Sequence, residues 1–179
     1  MMDKVAVNYE KMYYGFPVIL VSFYDVNGLP NVTTISSSYT LKDMVVLGFS
    51  SKGYAINQIK EVHDFVINVP DRSMMDAISY CGANSGHELS KFDNLNLTHV
   101  KSQSVNAPII RECPIAIECT LTDVIERDQF KGITNILAQI KGRYVAQDYL
   151  NDEGGLQSSE FDNVLYIGDG RKKSFRYLQ

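Results

Sequence analysis

Three clusters of hydrogen-bond donors follow predicted strands or helices in this sequence, and their chemistry suits a phosphate group. A phosphate monoester carries close to two negative charges and several acceptor oxygens, so its site needs several donors and usually one cation. One serine-rich strand end is common loop sequence, whereas three clusters in succession favour a site for a phosphate-bearing ligand. The clusters are Ser36, Ser37 and Ser38; Ser50 and Ser51 with Lys52; and Ser85, Gly86 and His87 with Lys91.

Other residue types that often carry chemistry lack the necessary spacing. The three histidines show no metal-ligand spacing, and no cysteine pair stands near them in a zinc pattern. Cys113 and Cys119 on one strand would lie about 20 Å apart, too far for a disulfide. The sequence therefore predicts reduced, mostly buried thiols and no metal site. The sequence contains neither a Walker P-loop nor a Gly-x-Gly-x-x-Gly motif.

The elements that must position the donor clusters are mostly strands. A turn with Asn27-Gly28 joins the first two predicted strands into a hairpin, because glycine tolerates positive φ. Alternation of apolar and polar residues over 115–125 is typical of a half-buried strand, and Gly142 marks a bend or bulge in the strand after it. The predicted strands cover residues 17–24, 31–41, 44–49, 65–69, 115–125, 134–149 and 164–167.

Only short helices are predicted, over residues 54–62 and 71–81, with a loop over 83–96 that has room for one short helical turn. Ser73 is the expected cap of the second helix, with Asp76 three positions on. A helical interpretation of residues 135–146 remains a minor alternative. Because no long helices separate successive strands, we expect a mainly β fold that closes or nearly closes into a barrel, and not a doubly wound parallel sheet.

Composition limits the class of protein. The 179 residues suit one domain, predicted to span residues 1–179. A formal charge of −4 argues against a general nucleic-acid binder. No apolar stretch is long enough to span a membrane, and the amino terminus lacks the apolar core of a signal peptide. With three cysteines, the expected location is the cytoplasm.

Several short motifs occur in a characteristic order between residues 16 and 149. They are Pro17-Val18-Ile19-Leu20-Val21-Ser22, Asn27-Gly28-Leu29-Pro30-Asn31, Ser36-Ser37-Ser38, Ser50-x-x-x-Tyr54-x-x-Asn57-Gln58-Ile59, Phe65-Val66-Ile67-Asn68-Val69-Pro70, Ser85-Gly86-His87-Glu88-Leu89-Ser90-Lys91-Phe92, Ala107-Pro108-Ile109-Ile110 and Glu118-Cys119. In this order the chain resembles the flavin reductase-like, FMN-binding split-barrel family, which includes the flavoredoxins.

The resemblance implies a split β-barrel and a homodimer that holds one FMN per barrel at the subunit interface. The implied cofactor-binding residues are Asn31, Ser36, Ser37, Ser38, Ser50, Ser51, Tyr54, Ser85, Gly86, His87, Lys91 and Phe92.

Each group in that set has an implied role. Asn31 and the segment Ser36 to Ser38 would border the flavin ring and the ribityl chain. Ser50, Ser51 and Tyr54 would hydrogen-bond ribityl or phosphate oxygens. Ser85 and Gly86 would approach the cofactor by backbone. Lys91 would supply the cation for the phosphate, and Phe92 would supply a packing surface. Catalytic side chains stay unassigned, because a flavin performs the electron transfer itself.

The sequence departs from the family pattern in three places. The strand from Met44 lacks the paired prolines that often precede it. Tyr54 stands where a Thr or Ser is usual. Residues 131–134 replace the Gly-Asp-His triplet of NADH-dependent flavin reductases, which shifts the expectation toward the flavoredoxin branch. The expected electron donor is NAD(P)H or a redox protein. Two alternatives remain open: a non-catalytic barrel that binds flavin or haem, and an oxidase of the pyridoxamine-phosphate type, whose phosphate pocket would need the basic residues 171–173.

Overall fold

A computed structural model describes residues 3–86, 91–170 and 174–177, and β-strands form most of its regular structure. The helices are α1 Tyr54–Val62, α2 Met75–Ala83 and α3 Lys91–Leu95. The strands are β1 Tyr13–Pro17, β2 Ile19–Tyr24, β3 Pro30–Ile35, β4 Ser38–Leu41, β5 Met44–Ser50, β6 Asp64–Val69, β7 His99–Lys101, β8 Pro108–Ile110, β9 Ile115–Ile125, β10 Ile133–Val145, β11 Val164–Gly168 and β12 Ser174–Tyr177.

A curled, antiparallel, seven-stranded sheet forms the body of the molecule, in the order β3-β2-β6-β9-β10-β5-β4. A second sheet pairs β1 with β11 and β11 with β12, which joins the two ends of the described chain. Strands β7 and β8 form a small separate pair. Within the described ranges, no helix has the length and apolar character needed to cross a membrane.

Strand β2 lies between two apolar clusters, which fixes where the helices pack. Val21 and Phe23 face a cluster inside the curl of the sheet, and α1 contributes Ile56 and Ile59 to it. Leu20 faces the opposite cluster, which contains Ile78 of α2. Because successive strand residues point to opposite faces, a strand that is buried on both sides needs the continuous apolar sequence seen here. The two clusters hold α1 and α2 on either side of β2 and β3.

Several predicted elements are confirmed and others need correction. Strand β10 is present with a register shift at Gly142, so the helical alternative for residues 135–146 is wrong. The predicted strand over 31–41 is two strands, because the chain leaves β2 after Ile35 and Ser38 pairs with Leu47 of β5. The strand predicted over 17–24 is interrupted at Val18, whose N–H donates to the carbonyl of Val164.

The predicted Ser73 cap is also wrong. Asp71 caps the turn that leads into α2, because its carboxylate accepts from the backbone N–H of Ser73 at 2.8 Å. The helical face predicted through Ile78 and Cys81 is buried as expected.

Glu118 is fully buried, although it lies on the polar face predicted for its strand. Its carboxylate accepts backbone N–H bonds from Gln103 at 2.7 Å and Ser104 at 2.8 Å, and a bond from the Tyr144 hydroxyl at 3.3 Å. Three donors replace the water that a buried carboxylate loses. Glu118 therefore fixes the loop before β8 to the middle of the sheet.

We expect the Glu118→Leu variant to lose about 2 kcal/mol of unfolding free energy, because two loop N–H groups lose a charged acceptor. Urea unfolding of the purified variant measures this. The matched control is Glu112→Leu, since the exposed Glu112 carboxylate accepts only from the Thr98 N–H among the hydrogen bonds described, and we expect a loss below about 1 kcal/mol. Equal losses in the two variants would contradict the anchoring role of Glu118.

Candidate functional site

A cavity of about 600 Å³ runs along β3, between α1 and α2. This volume is typical of sites for small molecules and cofactors, which cover about 300–1,000 Å³. Six segments meet around it: the start of β1 with Lys11 before it, β3 with the chain after it, the end of β5, the start of α1, the end of α2 with the loop after it, and the start of α3. The lining includes Asn31, Val32, Thr33, Thr34, Ile35, Ser36, Ser37, Gly48, Phe49, Ser50, Lys52, Gly53, Tyr54, Cys81, Gly82, Asn84, Ser85, Gly86 and Lys91.

The start of α1 gives the cavity an anion-binding character. Gly53 occupies the cap position and has no side chain to satisfy the first N–H groups of the helix, which lack intrahelical acceptors. The first turn carries no acidic residue. Ser50 and Lys52 precede the helix and line the same part of the wall, and Lys52 is exposed. Partial positive charge, a hydroxyl and an ammonium group thus converge there.

Gly86 brings the loop after α2 into close contact with two other cavity residues. A Cβ atom at this position would lie 2.6 Å from Cδ1 of Tyr54 and 2.8 Å from the side-chain amide of Asn31. The Asn31 amide nitrogen donates to the Gly86 carbonyl at 3.3 Å. Only glycine allows this approach, so the loop can close one side of the cavity.

The Tyr54 hydroxyl is held by Asp25, which lies in the turn between β2 and β3. It donates to Asp25 Oδ2 at 3.0 Å, and Asp25 Oδ1 accepts from the N–H groups of Asn27 and Leu29. Burial, with added contributions from the Asp25 hydrogen bond and charge, raises the pKa of Tyr54 to about 12. In this arrangement the Tyr54 ring forms part of the cavity wall, and its hydroxyl points to Asp25.

In the Asp25→Asn variant we expect the pKa of Tyr54 to fall, because the variant removes the negative charge that opposes tyrosinate. A folded-state pKa above the ordinary value means that the contribution of Tyr54 to stability is complete below pH 10.0. This contribution is lost as pH rises toward 12. Titration by NMR with ring-labelled tyrosine measures the shift, and Tyr54→Phe assigns the signal. A Tyr54 signal with the same midpoint in both proteins would show that Asp25 does not control it.

Lys91 is a buried ammonium group in the wall of the cavity, only 2% exposed. Its Nζ donates to the Val32 carbonyl at 2.8 Å and to the Cys81 carbonyl at 3.1 Å. Among the described residues no carboxylate forms an ion pair with it. Burial lowers the pKa of Lys91, with a small opposing effect from Cys81. A buried charge with neutral partners gains from an anionic ligand.

The three cysteines are unpaired and buried, as the sequence predicts. Burial raises the pKa of the Cys81 thiol to about 11 and that of Cys119 to about 12, and it raises that of Cys113 further. Within the described ranges, no group of His, Cys, Asp and Glu side chains could hold a metal ion.

The structure brings most of the predicted site residues together. Those that line the cavity are Asn31, Ser36, Ser37, Ser50, Tyr54, Ser85, Gly86 and Lys91.

Three predicted residues do not line the cavity. Ser38 belongs to β4, where it pairs with Leu47, and the Ser51 side chain lies 2.9 Å from the Thr134 hydroxyl in a hydrogen bond. Phe92 packs in the apolar cluster beneath α2. His87 lies outside the described residues, as do the basic residues 171–173.

Lining residues that the sequence did not single out include Lys11, Thr33, Thr34 and Gly48. A Cβ at Gly48 would lie 3.1 Å from Ser37, and a glycine inside a predicted strand is a recognised sign of close approach. Lys11 had no usable signal, because it reaches the cavity through the pairing of β1 with β11, far along the chain.

The donor set fits a flavin nucleotide. The start of α1, Ser50 and Lys52 suit a phosphate, and the hydroxyls of Thr33 and Ser36 suit a polyol chain.

Comparison with known proteins identifies the class. The family model of the flavin reductase like domain matches residues 12–155. The chain therefore belongs to this family, and its fold is a split β-barrel, as the sequence resemblance predicted.

Three similar proteins illustrate the relationship. Flavoredoxin of Desulfovibrio vulgaris (Miyazaki F) superposes with a TM-score of 0.89 and 25% sequence identity, over 99% of this chain and 94% of that chain. An FMN-binding protein from Thermus thermophilus with bound 1-cyclohex-2-enone has a TM-score of 0.77 and 16% identity, over 99% and 96%. The uncharacterized protein YdfE of Bacillus subtilis (strain 168) is 24% identical, over 92% of this chain and 90% of its own length.

Proposed function

We propose that this chain is an FMN-binding oxidoreductase that transfers electrons from NAD(P)H or from a redox protein, as a flavin reductase or a flavoredoxin does. The observation that carries the proposal is the cavity where the uncapped start of α1, Ser50 and Lys52 meet the polar strand β3. Family membership and the likeness to flavoredoxin support it.

The phosphate of FMN is assigned to the start of α1. Backbone N–H groups of the first helical turn, the Ser50 hydroxyl and the Lys52 ammonium would donate to its oxygens. Lys91 would add a positive charge from inside the wall, at a point where water is excluded and the charge acts strongly. These groups bind and orient the cofactor.

Bound flavin would supply the hydride and single-electron chemistry. The protein's part is position, electrostatics and access. Thr33 and Ser36 would hold the ribityl chain, and Tyr54, fixed by Asp25, would close the cavity against Gly86. No acid–base side chain is required for this role, so none is assigned.

We also propose a homodimer with one FMN per barrel at the subunit interface, as the sequence resemblance implies. Exposed lining residues such as Lys52 leave one side of the cavity open to the surroundings, and a second subunit would cover it. Size-exclusion chromatography with light scattering should give twice the chain mass of 20.1 kDa. A monomer that binds FMN fully would remove the dimer from the proposal.

The experiment that tests the function is an absorbance spectrum of the purified protein, before and after addition of FMN and desalting. Bands near 370 and 450 nm, as for FMN in flavoproteins generally, would support a flavin site. The spectrum is then repeated without oxygen after adding NADH or NADPH. Bleaching by either nucleotide indicates a reductase, and persistent bands indicate a protein donor. Failure to retain FMN would overturn the proposal and favour a non-flavin binding barrel.

A further inference from the structure

A second chamber of about 380 Å³ adjoins the candidate cofactor cavity. It is defined by Tyr13, Val18, Ile78, Ser79, Tyr166 and Phe175, and we name it the aromatic chamber. Lys11, Tyr13, Thr34, Ile35, Ser36, Gly82 and Ala83 line both spaces. A ligand in the aromatic chamber would therefore lie directly beside a ligand in the cavity.

The walls of the aromatic chamber are suited to a flat ring. The ring centroids of Tyr13 and Tyr166 are 4.5 Å apart, and those of Tyr166 and Phe175 are 5.7 Å apart. Aromatic rings at such spacings offer faces and edges to a further ring. Val18 and Ile78 form the apolar base, and both are almost fully buried.

The polar groups of the aromatic chamber are few, and they favour an anionic substituent. The Thr34 hydroxyl donates to the Ile78 carbonyl at 2.8 Å, so it is already engaged. The Tyr166 hydroxyl is protonated at neutral pH and can donate, and burial raises its pKa further. The exposed Lys11 lies at the border shared with the cavity and supplies a positive charge.

We propose that the aromatic chamber binds a second small ligand, a single-ring aromatic anion, beside the candidate cofactor cavity. This rests on the proposed function only where the ligand is taken as the reaction partner of a flavin, because binding itself needs no cofactor. The ring would pack against the Tyr166 and Phe175 rings, and its anionic group would face Lys11.

Calorimetric titration tests the proposal with benzoate as the anionic probe and benzamide as its neutral counterpart. We expect both probes to bind to the protein with and without FMN, and benzoate to bind more tightly. In Lys11→Gln, benzoate affinity should fall about two- to fivefold, as for an exposed ion pair, while benzamide affinity should stay unchanged.

Two tyrosine variants provide the matched comparison. Ser79 is exposed and lines the aromatic chamber but not the cavity, so Ser79→Tyr should block benzoate and leave FMN affinity unchanged. Ser159 is exposed and lines neither space, so Ser159→Tyr should leave both affinities unchanged.

Three outcomes would overturn the inference: no benzoate binding at millimolar concentration, competition between benzoate and FMN, or equal benzoate binding to Ser79→Tyr and the unaltered chain. Competition would mean that the flavin itself fills the aromatic chamber. Benzoate binding without any FMN binding would leave this inference standing and refute the proposed function.

Discussion

The Gly86→Val variant should remain folded and lose FMN affinity by about 5- to 150-fold. The added side chain cannot fit, because its Cβ would lie 2.6 Å from the Tyr54 ring and 2.8 Å from the Asn31 amide. Overpacking of this kind costs about 1–3 kcal/mol, and each 1.4 kcal/mol changes affinity about tenfold. Ser85 is exposed, so we expect the loop to move outward and the barrel to stay intact.

Fluorescence titration of FMN measures the loss, and circular dichroism confirms the fold. The control is Gly82→Ala, which also alters a glycine of the cavity wall. A Cβ there would meet only Thr34 at 3.5 Å or more, which is ordinary contact. We expect its FMN affinity to stay within about threefold, because no atom must move. Equal affinities in Gly86→Val and the unaltered chain would remove the loop after α2 from the site.

The Lys91→Met variant should bind FMN about 10- to 150-fold more weakly. A hydrogen bond to a charged group is worth about 1.5–3 kcal/mol, and the 2% exposure of Lys91 leaves little screening. Methionine keeps the length of the side chain and removes its charge. The control is Lys141→Met, which removes an exposed lysine outside the cavity and should leave FMN affinity unchanged.

The pH dependence of stability supplies a second measurement on Lys91. Its folded-state pKa is below the ordinary value, so the buried charge destabilises the cofactor-free protein at neutral pH. That cost is removed as pH rises from the folded-state pKa toward the ordinary value of 10.5, so stability should increase over that range. The facing groups are the Val32 and Cys81 carbonyls and the Cys81 thiol.

Lys91→Met should lack this alkaline increase in stability, which urea unfolding at a series of pH values would show. Lys91→Met could instead match the unaltered chain both in FMN affinity and in the pH dependence of its stability. That result would mean that Lys91 serves only to connect β3 with α2 and takes no part in binding FMN.

Elements that carry a regular apolar pattern in their own residues could be predicted from the sequence, and pairing between segments far apart in the chain could not. Strands β2, β6 and β9 and helix α1 were predictable because burial on one or both faces leaves a regular apolar pattern. The division between β3 and β4 was not, because Ser36 and Ser37 mark a change of partner strand and not a change of local conformation. Pairing partners far along the chain leave no local pattern.

The same difference between local pattern and long-range contacts explains which site residues could be predicted from the sequence. Ser50 reaches the cavity while Ser51 bonds to Thr134, since consecutive residues at a strand end point in opposite directions. A serine cluster in the sequence therefore overstates the number of donors. The burial of Glu118 depends on N–H groups from a distant loop, which the alternation within β9 does not reveal.

The three buried cysteines have a consequence for how long such a protein would survive in air. Flavins react with dioxygen, and the hydrogen peroxide formed oxidises cysteine through its thiolate form. Burial raises the pKa of Cys81 to about 11 and of Cys119 to about 12, so thiolate is scarce at neutral pH. Cys81 lines the candidate cofactor cavity, where peroxide would first appear. We therefore expect this peroxide to oxidise the Cys81 thiol more slowly than it would oxidise an exposed cysteine.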